Sequence, residues 1–283
     1  MRTRARFAAP QFRHEQYIMD EVPQAAQTPE AKNNLVCFFL QGAAISAQMM
    51  EVCVETIQAT LKVGEVGVEF AAVYDAAFEG ASAIPESVKT YVVDMPQHMR
   101  KIRIFDIIDL TKYETVLWIE PSTVVCSDLG RLFATCTPEK LYVYCEPGRD
   151  TMDKLQYGLQ KYTVREKMYF SFNNIYGFNT LQAMFKPTEN LRAKFAKVDE
   201  LATGYEGEHF TEQSFMNHVF LTQYSKTLDR TMIIRFFYYA KAYTKFDQDF
   251  PFIVSFPPYL PDVVEQQRAY FAECQAAKAS ACS

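Results

Sequence analysis

The chain has 283 residues, of which 49% are hydrophobic and 14% aromatic, and its formal net charge at pH 7 is −5. These values are typical of a globular protein with an aromatic core, and the negative charge argues against nucleic-acid binding through bulk electrostatics. No apolar stretch approaches the roughly 20 residues of a membrane-spanning helix, so the sequence favours a soluble protein without a membrane span.

Seven cysteines are scattered along the chain and form no Cys-x-x-Cys pair. Most lie in apolar segments, where a free cysteine behaves as a small hydrophobic side chain. Because there is also no secretory signal and no Asn-x-Ser/Thr acceptor, we expect an intracellular, reducing compartment. The cytoplasm is the favoured location. A mitochondrial location is the alternative, because the first fourteen residues contain four arginines and no acid.

Residues 1–33 show little apolar periodicity and contain Pro10, Pro23 and Pro29. Such a segment buries too little apolar surface to fold alone, so we expect an extended N-terminal arm. Its arginines would pair with acidic groups on protein partners. The rest of the chain then divides into one domain over residues 34–260 and a C-terminal helix or tail over residues 261–283.

From residue 34 onward, buried strands alternate with helices. The periodicity predicts strands at Leu35–Leu40, Val66–Tyr74, Lys89–Val93, Val116–Ile119 and Lys140–Cys145, and helices at Met49–Leu61 and His98–Leu110. Strands separated by helices predict an α/β domain with a mostly parallel central sheet and flanking helices. Ligands bind such sheets in a crevice at the carboxyl ends of the strands.

The second half of the chain has a weaker pattern. Phe170–Phe178 and Met232–Tyr239 are aromatic and strand-like. Val263–Lys278 has the spacing of an amphipathic helix that closes the fold.

Glu120-Pro121-Ser122 follows the strand Val116–Ile119 and precedes a second apolar strand and the Asp128-Leu129 pair. This order resembles the metal-site segment of family-8 glycosyltransferases, the glycogenin and galactinol synthase type, in which the strand ends in Asp-x-Asp. The resemblance covers roughly Leu35 to Phe256, and Phe39–Gly42 stands in the place of the loop that cradles the nucleotide. It implies a GT-A-type fold and a nucleotide sugar as donor substrate.

The resemblance also locates the metal ligands, and there the sequence departs from the family. Family members hold Mn²⁺ or Mg²⁺ with two carboxylates and a later histidine, since hard divalent cations prefer carboxylate oxygens. Here Glu120 retains one carboxylate on a longer arm, Ser122 supplies a neutral hydroxyl, and Ser255 stands in the place of the histidine. We therefore expect a degenerate site without a bound divalent cation.

Further segments correspond to the donor site of the family. Lys101 matches a basic residue beside the diphosphate, although a lone lysine can equally cover apolar surface with its stem. Asn174 stands where a glycine is usual in the family's Phe-Asn-Ser-Gly strand. Glu212 and Gln213 resemble the Asp-Gln helix start that faces the sugar donor and its reacting carbon. With Thr211 as a cap, Glu212 also suits a purely structural helix start.

Two functions follow from these observations. If the chain is active, the resemblance implies a retaining glycosyltransferase, with Glu212 and Gln213 as catalytic residues and donor contacts from Lys101, Glu120, Ser122 and Asn174. The alternative is a catalytically inactive descendant that serves as a structural or interaction subunit of a larger assembly. The altered metal ligands and the N-terminal arm favour the alternative, whereas the ordered segments favour the family activity.

Overall fold

The computed structural model describes residues 33–61, 66–145, 163–166, 168, 177–203, 212–222, 237–239, 253–260 and 262–281. The strands of this part are β1 (Asn33–Phe39), β2 (Val68–Tyr74), β3 (Val88–Val92), β4 (Tyr113–Trp118), β5 (Thr123–Val125), β6 (Leu141–Cys145), β7 (Phe178–Phe185), β8 (Phe237–Tyr239) and β9 (Ile253–Ser255). They form a six-stranded sheet in the order β3-β2-β1-β4-β7-β6 and a three-stranded sheet in the order β5-β9-β8.

The central sheet is mostly parallel. Strand β1 pairs in parallel with both β2 and β4, and β2 pairs in parallel with β3. Strand β7 is antiparallel to both of its neighbours, β4 and β6. The predicted mostly parallel α/β class is therefore confirmed. Because β1, β2 and β4 run in the same direction, the residues that follow them lie at one edge of the sheet.

Seven α-helices with defined bounds flank the sheets within the described residues, which also include a short helical stretch at 164–166. They are α1 (Ile45–Thr60), α2 (Gln97–Ile102), α3 (Ile104–Ile107), α4 (Leu129–Ala134), α5 (Glu189–Ala202), α6 (Glu212–Thr222) and α7 (Val263–Ala281). None of these helices combines the length and the hydropathy that crossing a bilayer would require.

The sheet separates two apolar cores. Leu35 and Cys37 of β1 pack on one face with residues of α2, α5 and α6, and Val36 and Phe38 pack on the other with residues of α1 and α4. Successive side chains of a strand point to opposite faces, so a strand covered on both sides is apolar at every position. This explains why the sequence from Leu35 to Leu40 is a continuous hydrophobic run.

The single helix predicted over His98–Leu110 is wrong. Two short helices, α2 and α3, meet instead at Arg103, whose backbone leaves helical geometry at φ −95° and ψ 20°. Ile102 and Ile104 are both buried in the same core. One continuous helix would point side chains two residues apart about 200° away from each other, so the break is needed to bury both.

The second half of the chain agrees with the sequence pattern only in part. Residues 169–176 lie outside the described residues, and β7 begins at Phe178, where the predicted strand was expected to end. Strand β8 occupies the end of the predicted Met232–Tyr239 strand, and residues 232–236 are not described. The closing helix is confirmed as α7. The predicted N-terminal arm lies outside the described residues up to residue 32.

Candidate functional site

Three charged side chains meet where β4 ends. Lys101 of α2 places its Nζ 3.0 Å from Oε1 of Glu120, which follows β4, and 3.4 Å from Oε1 of Glu212, the first residue of α6. The same ammonium donates to the carbonyl oxygen of Thr180 at 3.1 Å. These three acceptors equal the three N–H groups of an ammonium, so its donors are all directed at protein atoms. We call Lys101, Glu120, Glu212 and Thr180 the charged half of the site.

The environment keeps Lys101 cationic. Lys101 is only 8% exposed, and burial by itself would lower the pKa of its ammonium group. The neighbouring carboxylates of Glu120 and Glu212 outweigh this effect and raise the pKa of Lys101 above its ordinary value. The side chains of Glu120 and Glu212 are 23% and 19% exposed, so the ammonium lies inside the protein and the carboxylates border solvent.

Hydrogen bonds between α6 and β7 fix the position of Glu212 and Gln213. The buried side chain of Asn217 accepts a hydrogen bond from the Phe178 amide and donates one to the Phe178 carbonyl, both at 2.8 Å. Thr180 donates through Oγ1 to Glu212 at 3.2 Å, and its backbone amide donates to Oε1 of Gln213 at 3.4 Å. The first turn of α6 is therefore tied to one short stretch of β7.

The neighbouring half of the site is neutral. Thr123 of β5 pairs with Ser255 of β9, and their hydroxyl oxygens are 3.3 Å apart. The side-chain amide of Gln182 on β7 donates to the Ser255 hydroxyl. Ser122 lies beside them, and its carbonyl accepts a hydrogen bond from the Phe256 amide at 2.7 Å. We call these buried residues, Ser122, Thr123, Gln182 and Ser255, the neutral half.

The residues present do not fit the divalent cation that the family resemblance implies. The carboxylate of Glu120 is already paired with Lys101, and Ser122 and Ser255 supply neutral hydroxyls in place of charged ligands. The described residues contain no cluster of three or more His, Cys, Asp or Glu side chains that could hold a metal ion. Hard divalent cations need several carboxylate or carbonyl oxygens at short distances.

A second ion pair, between a buried arginine and a partly exposed aspartate, lies at the same sheet edge. Arg100, adjacent to Lys101, is 1% exposed, donates to the Leu40 carbonyl at 2.8 Å and pairs with Asp75, which follows β2. This contact fixes the end of β1, from which the Phe39–Gly42 segment continues. Gly42 has a φ of +68°, a left-handed conformation that glycine adopts without a steric penalty.

The structure brings most of the predicted site residues to one region. Glu120 and Glu212 both pair with Lys101, and Gln213 contacts Thr180. The backbone hydrogen bond between Ser122 and Phe256 holds Ser122 next to the strand that ends at Ser255. Asn174 lies outside the described residues.

Three polar residues at or beside the site, Thr180, Gln182 and His98, belong to no sequence motif and were not predicted. Thr180 and Gln182 alternate along β7, and only a period-two pattern in a correctly bounded strand would have indicated them. His98 precedes Lys101 by three residues, which places the two on one helical face. Burial lowers the pKa of His98, and the charge of Glu212 offsets this in part.

Comparisons with known proteins support the fold. The sequence matches no protein-family model and no curated protein. A structure of the galactosyltransferase LgtC in complex with donor and acceptor sugar analogues is similar to this chain with a TM-score of 0.53 and 11% sequence identity, over 86% of this chain and 95% of that chain.

A structure of an active-site mutant of LgtC gives a TM-score of 0.56 and 12% identity over the same shares of both chains. Identity at this level shows a common architecture, and a shared architecture does not by itself establish a shared activity. The chain has the GT-A-like fold of glycosyltransferases.

Proposed function

We propose that this protein is a glycosyltransferase that binds a nucleoside diphosphate sugar at the carboxyl edge of its central sheet. The observation that carries the proposal is the contact of Lys101 with Glu120 and Glu212, beside Gln213. Two carboxylates around one buried ammonium leave a net negative charge at the place where open α/β sheets bind ligands. Such an arrangement is costly as a purely structural device and suits a site where positive charge develops.

Glu212 is the residue best placed to act on the sugar. As the bond between the anomeric carbon and the diphosphate oxygen breaks, positive charge develops on the sugar ring and negative charge on the leaving diphosphate. A carboxylate held in a fixed position stabilises the positive charge electrostatically. Lys101 and Thr180 both donate to Oε1 of Glu212, so they orient this carboxylate, and Lys101 is a positioning residue.

Gln213 is the second residue that we assign to the donor. Its Oε1 accepts a hydrogen bond from the Thr180 amide at 3.4 Å, so its Nε2 is the donor end of the same side chain. This amide group is therefore suited to donate to a hydroxyl or phosphate oxygen of the donor. The family resemblance further implies that the transfer retains the anomeric configuration.

Donor binding in this proposal does not use a divalent cation. The only carboxylate at the former metal position, Glu120, is bound by Lys101, and a metal ion would have to displace that ammonium. The alternative function, a non-catalytic subunit, draws support from the same loss of metal ligands. Its second support, the N-terminal arm, lies outside the described residues.

Turnover of nucleotide sugars by the purified full chain tests the proposal. Uridine and guanosine diphospho-sugars are incubated with the protein, and released nucleoside diphosphate is measured. We expect Glu212→Gln to lower the rate by about 10²–10³-fold, the usual cost of removing one preorganised electrostatic group. The matched control is Glu189→Gln, because Glu189 is also the first residue of a helix and its side chain is 87% exposed.

The outcomes separate the two functions. A rate that falls in Glu212→Gln and is retained in Glu189→Gln supports the proposed enzyme. Donor binding without turnover in the unmodified protein favours the non-catalytic descendant. The absence of any donor binding contradicts both the donor site and the roles assigned to Glu212 and Gln213.

A further inference from the structure

Two cysteines meet where the C-terminal helix packs against the small sheet. Cys126 directly follows β5, and Cys274 lies in α7, 148 positions later in the chain. Their Sγ atoms are 3.4 Å apart, and neither residue has exposed surface. They belong to an apolar cluster that also contains Met49, Val124, Val254, Phe256 and Val263. The fold alone therefore brings these two thiols into contact.

The two sulfur atoms are in van der Waals contact, which is the arrangement from which a disulfide can form. A disulfide has an S–S distance of about 2.05 Å, so the two sulfur atoms need to approach by only about 1.4 Å. Of the five cysteines whose burial is described, Cys37, Cys53 and Cys136 pack in the cores on either side of the central sheet. They supply natural controls, because among the described side chains none of the three contacts another cysteine sulfur and a lone buried thiol cannot form an intramolecular disulfide in place.

The two thiols differ chemically. Lys278, one helical turn after Cys274, donates to the carbonyl oxygen of Cys126. The hydrogen bond with Cys126 and the nearby ammonium of Lys278 lower the pKa of Cys274 below its ordinary value. The same sulfur contact, together with burial, raises the pKa of Cys126. We assign the role of nucleophile to Cys274, because the pKa of its thiol is lowered and the pKa of Cys126 is raised.

We propose that Cys126 and Cys274 are an oxidation site, at which hydrogen peroxide converts the two thiols into a reversible disulfide that fastens α7 to β5. Because neither thiol is exposed, the reaction takes place when α7 opens locally. The Cys274 thiolate then attacks one peroxide oxygen, the O–O bond breaks, and the leaving hydroxide takes up a proton to become water. The resulting sulfenic acid is attacked by the Cys126 sulfur, the S–S bond forms, and a second water leaves with the Cys126 proton. The two sulfurs lose two electrons, which reduce the peroxide.

The position of α7 gives this bond a consequence for the candidate site. Gln267 of α7 is fully buried and donates to the carbonyl oxygens of Pro121 and Thr123, both at 3.1 Å. These residues flank Ser122. A covalent link between α7 and the residue after β5 therefore restrains the backbone of the neutral half. The proposal itself does not depend on the glycosyltransferase assignment.

The test uses the full-length protein, first reduced and then exposed to a small excess of hydrogen peroxide. Free thiols are alkylated and counted by intact mass, and the disulfide is located by peptide mapping. We expect two thiols to be lost, a peptide that links Cys126 to Cys274, and recovery of both thiols with dithiothreitol. Closing so long a loop is expected to raise the melting temperature by about 5 °C or more.

Variants and mapping make the outcome decisive. In Cys274→Ala, peroxide should form no intramolecular disulfide and should not raise the melting temperature. In Cys136→Ala, the disulfide should still form and the melting temperature should still rise. Peptide mapping of the unmodified protein needs no variant and remains informative if Cys274→Ala folds poorly. The proposal is wrong if peroxide leaves Cys126 and Cys274 reduced, if it converts them separately to sulfinic or sulfonic acids, or if the disulfide joins other cysteines.

Discussion

Glu120 and Ser122 stand two positions apart, yet they lie in opposite electrostatic surroundings. Glu120 belongs to the charged half, where one ammonium serves two carboxylates. Ser122 belongs to the neutral half, where hydroxyl and amide groups bond to one another. The comparison shows that one edge of a GT-A-like sheet can carry a half held together by an ion pair beside a half held together by neutral hydrogen bonds.

The largest expected effect comes from removing the cation of the charged half. Lys101→Met leaves two partly buried carboxylates without their cation, and breaking a buried ion pair costs about 3–5 kcal/mol. The free energy of unfolding should fall by that amount in urea denaturation. Lys197→Met is the control, because Lys197 pairs with Glu200 on the surface of α5 and should change stability by about 0.5 kcal/mol or less. Equal losses in the two variants would contradict a special role for Lys101.

Introducing the ligands that the family resemblance implies, at one residue of the charged half and two of the neutral half, should create a metal site. The variant that combines Glu120→Asp, Ser122→Asp and Ser255→His supplies two carboxylates and an imidazole. If Mn²⁺ binds it, stabilisation of about 2.7 kcal/mol is expected at a hundred times the dissociation constant, which thermal unfolding detects as a rise in melting temperature.

The unmodified protein is the comparison for that experiment, and we expect Mn²⁺ to leave its melting temperature unchanged. An equal Mn²⁺-dependent rise in both proteins would show that the unmodified site already binds the metal. Elemental analysis of the purified protein checks the same point, and we expect no stoichiometric Mn²⁺ beside Glu120.

A smaller effect should follow from breaking the hydrogen bonds of the neutral half. Ser255→Ala removes the hydroxyl that accepts a hydrogen bond from the side-chain amide of Gln182, a residue that is 4% exposed. A buried amide left without a partner costs about 1–3 kcal/mol. Ser280→Ala removes a hydroxyl near the exposed end of α7 and serves as the control. Urea denaturation in which both variants match the unmodified protein would show that the network contributes little.

The smallest effect concerns alkaline pH and distinguishes the halves directly. The pKa of Lys101 is raised above its ordinary value of 10.5. The ion pair therefore contributes fully to the free energy of unfolding below that pH, and this contribution is lost as the pH rises through the folded-state pKa. The stability difference between the unmodified protein and Lys101→Met should therefore be constant up to about pH 10 and decrease above it. The difference caused by Ser255→Ala should show no such decrease, because serine and glutamine do not titrate there. A Lys101→Met difference that grows with pH would contradict the ion-pair assignment.

The sequence predicted most of the first half of the fold, and most of the candidate site residues that it indicated lie close together in the structure. The strand Leu35–Leu40 and the Glu120–Ser122 segment have strong local patterns, and these are the elements on which the resemblance depends. The contacts within the site could not be predicted from sequence patterns. That one lysine serves both Glu120 and Glu212 depends on packing between α2, β4 and α6, segments separated by up to 111 positions.

Two features that the sequence did not reveal have the same physical origin. The break between α2 and α3 arises because Ile102 and Ile104 must both reach one core, and periodicity within a single segment cannot reveal that requirement. Cys126 and Cys274 each look like an isolated buried cysteine in the sequence, and only the docking of α7 on β5 makes them neighbours. Side-chain pairs formed by distant segments are the part of this molecule that sequence patterns do not contain.

Calorimetric titration with uridine and guanosine diphospho-sugars, in the presence of Mn²⁺ and again in the presence of a chelator, tests the central claim most directly. We expect a donor to bind with the same affinity, within about twofold, under both conditions, because Lys101 and not a metal ion supplies the cation at Glu120. Binding that appears only with Mn²⁺ would contradict this account of the site.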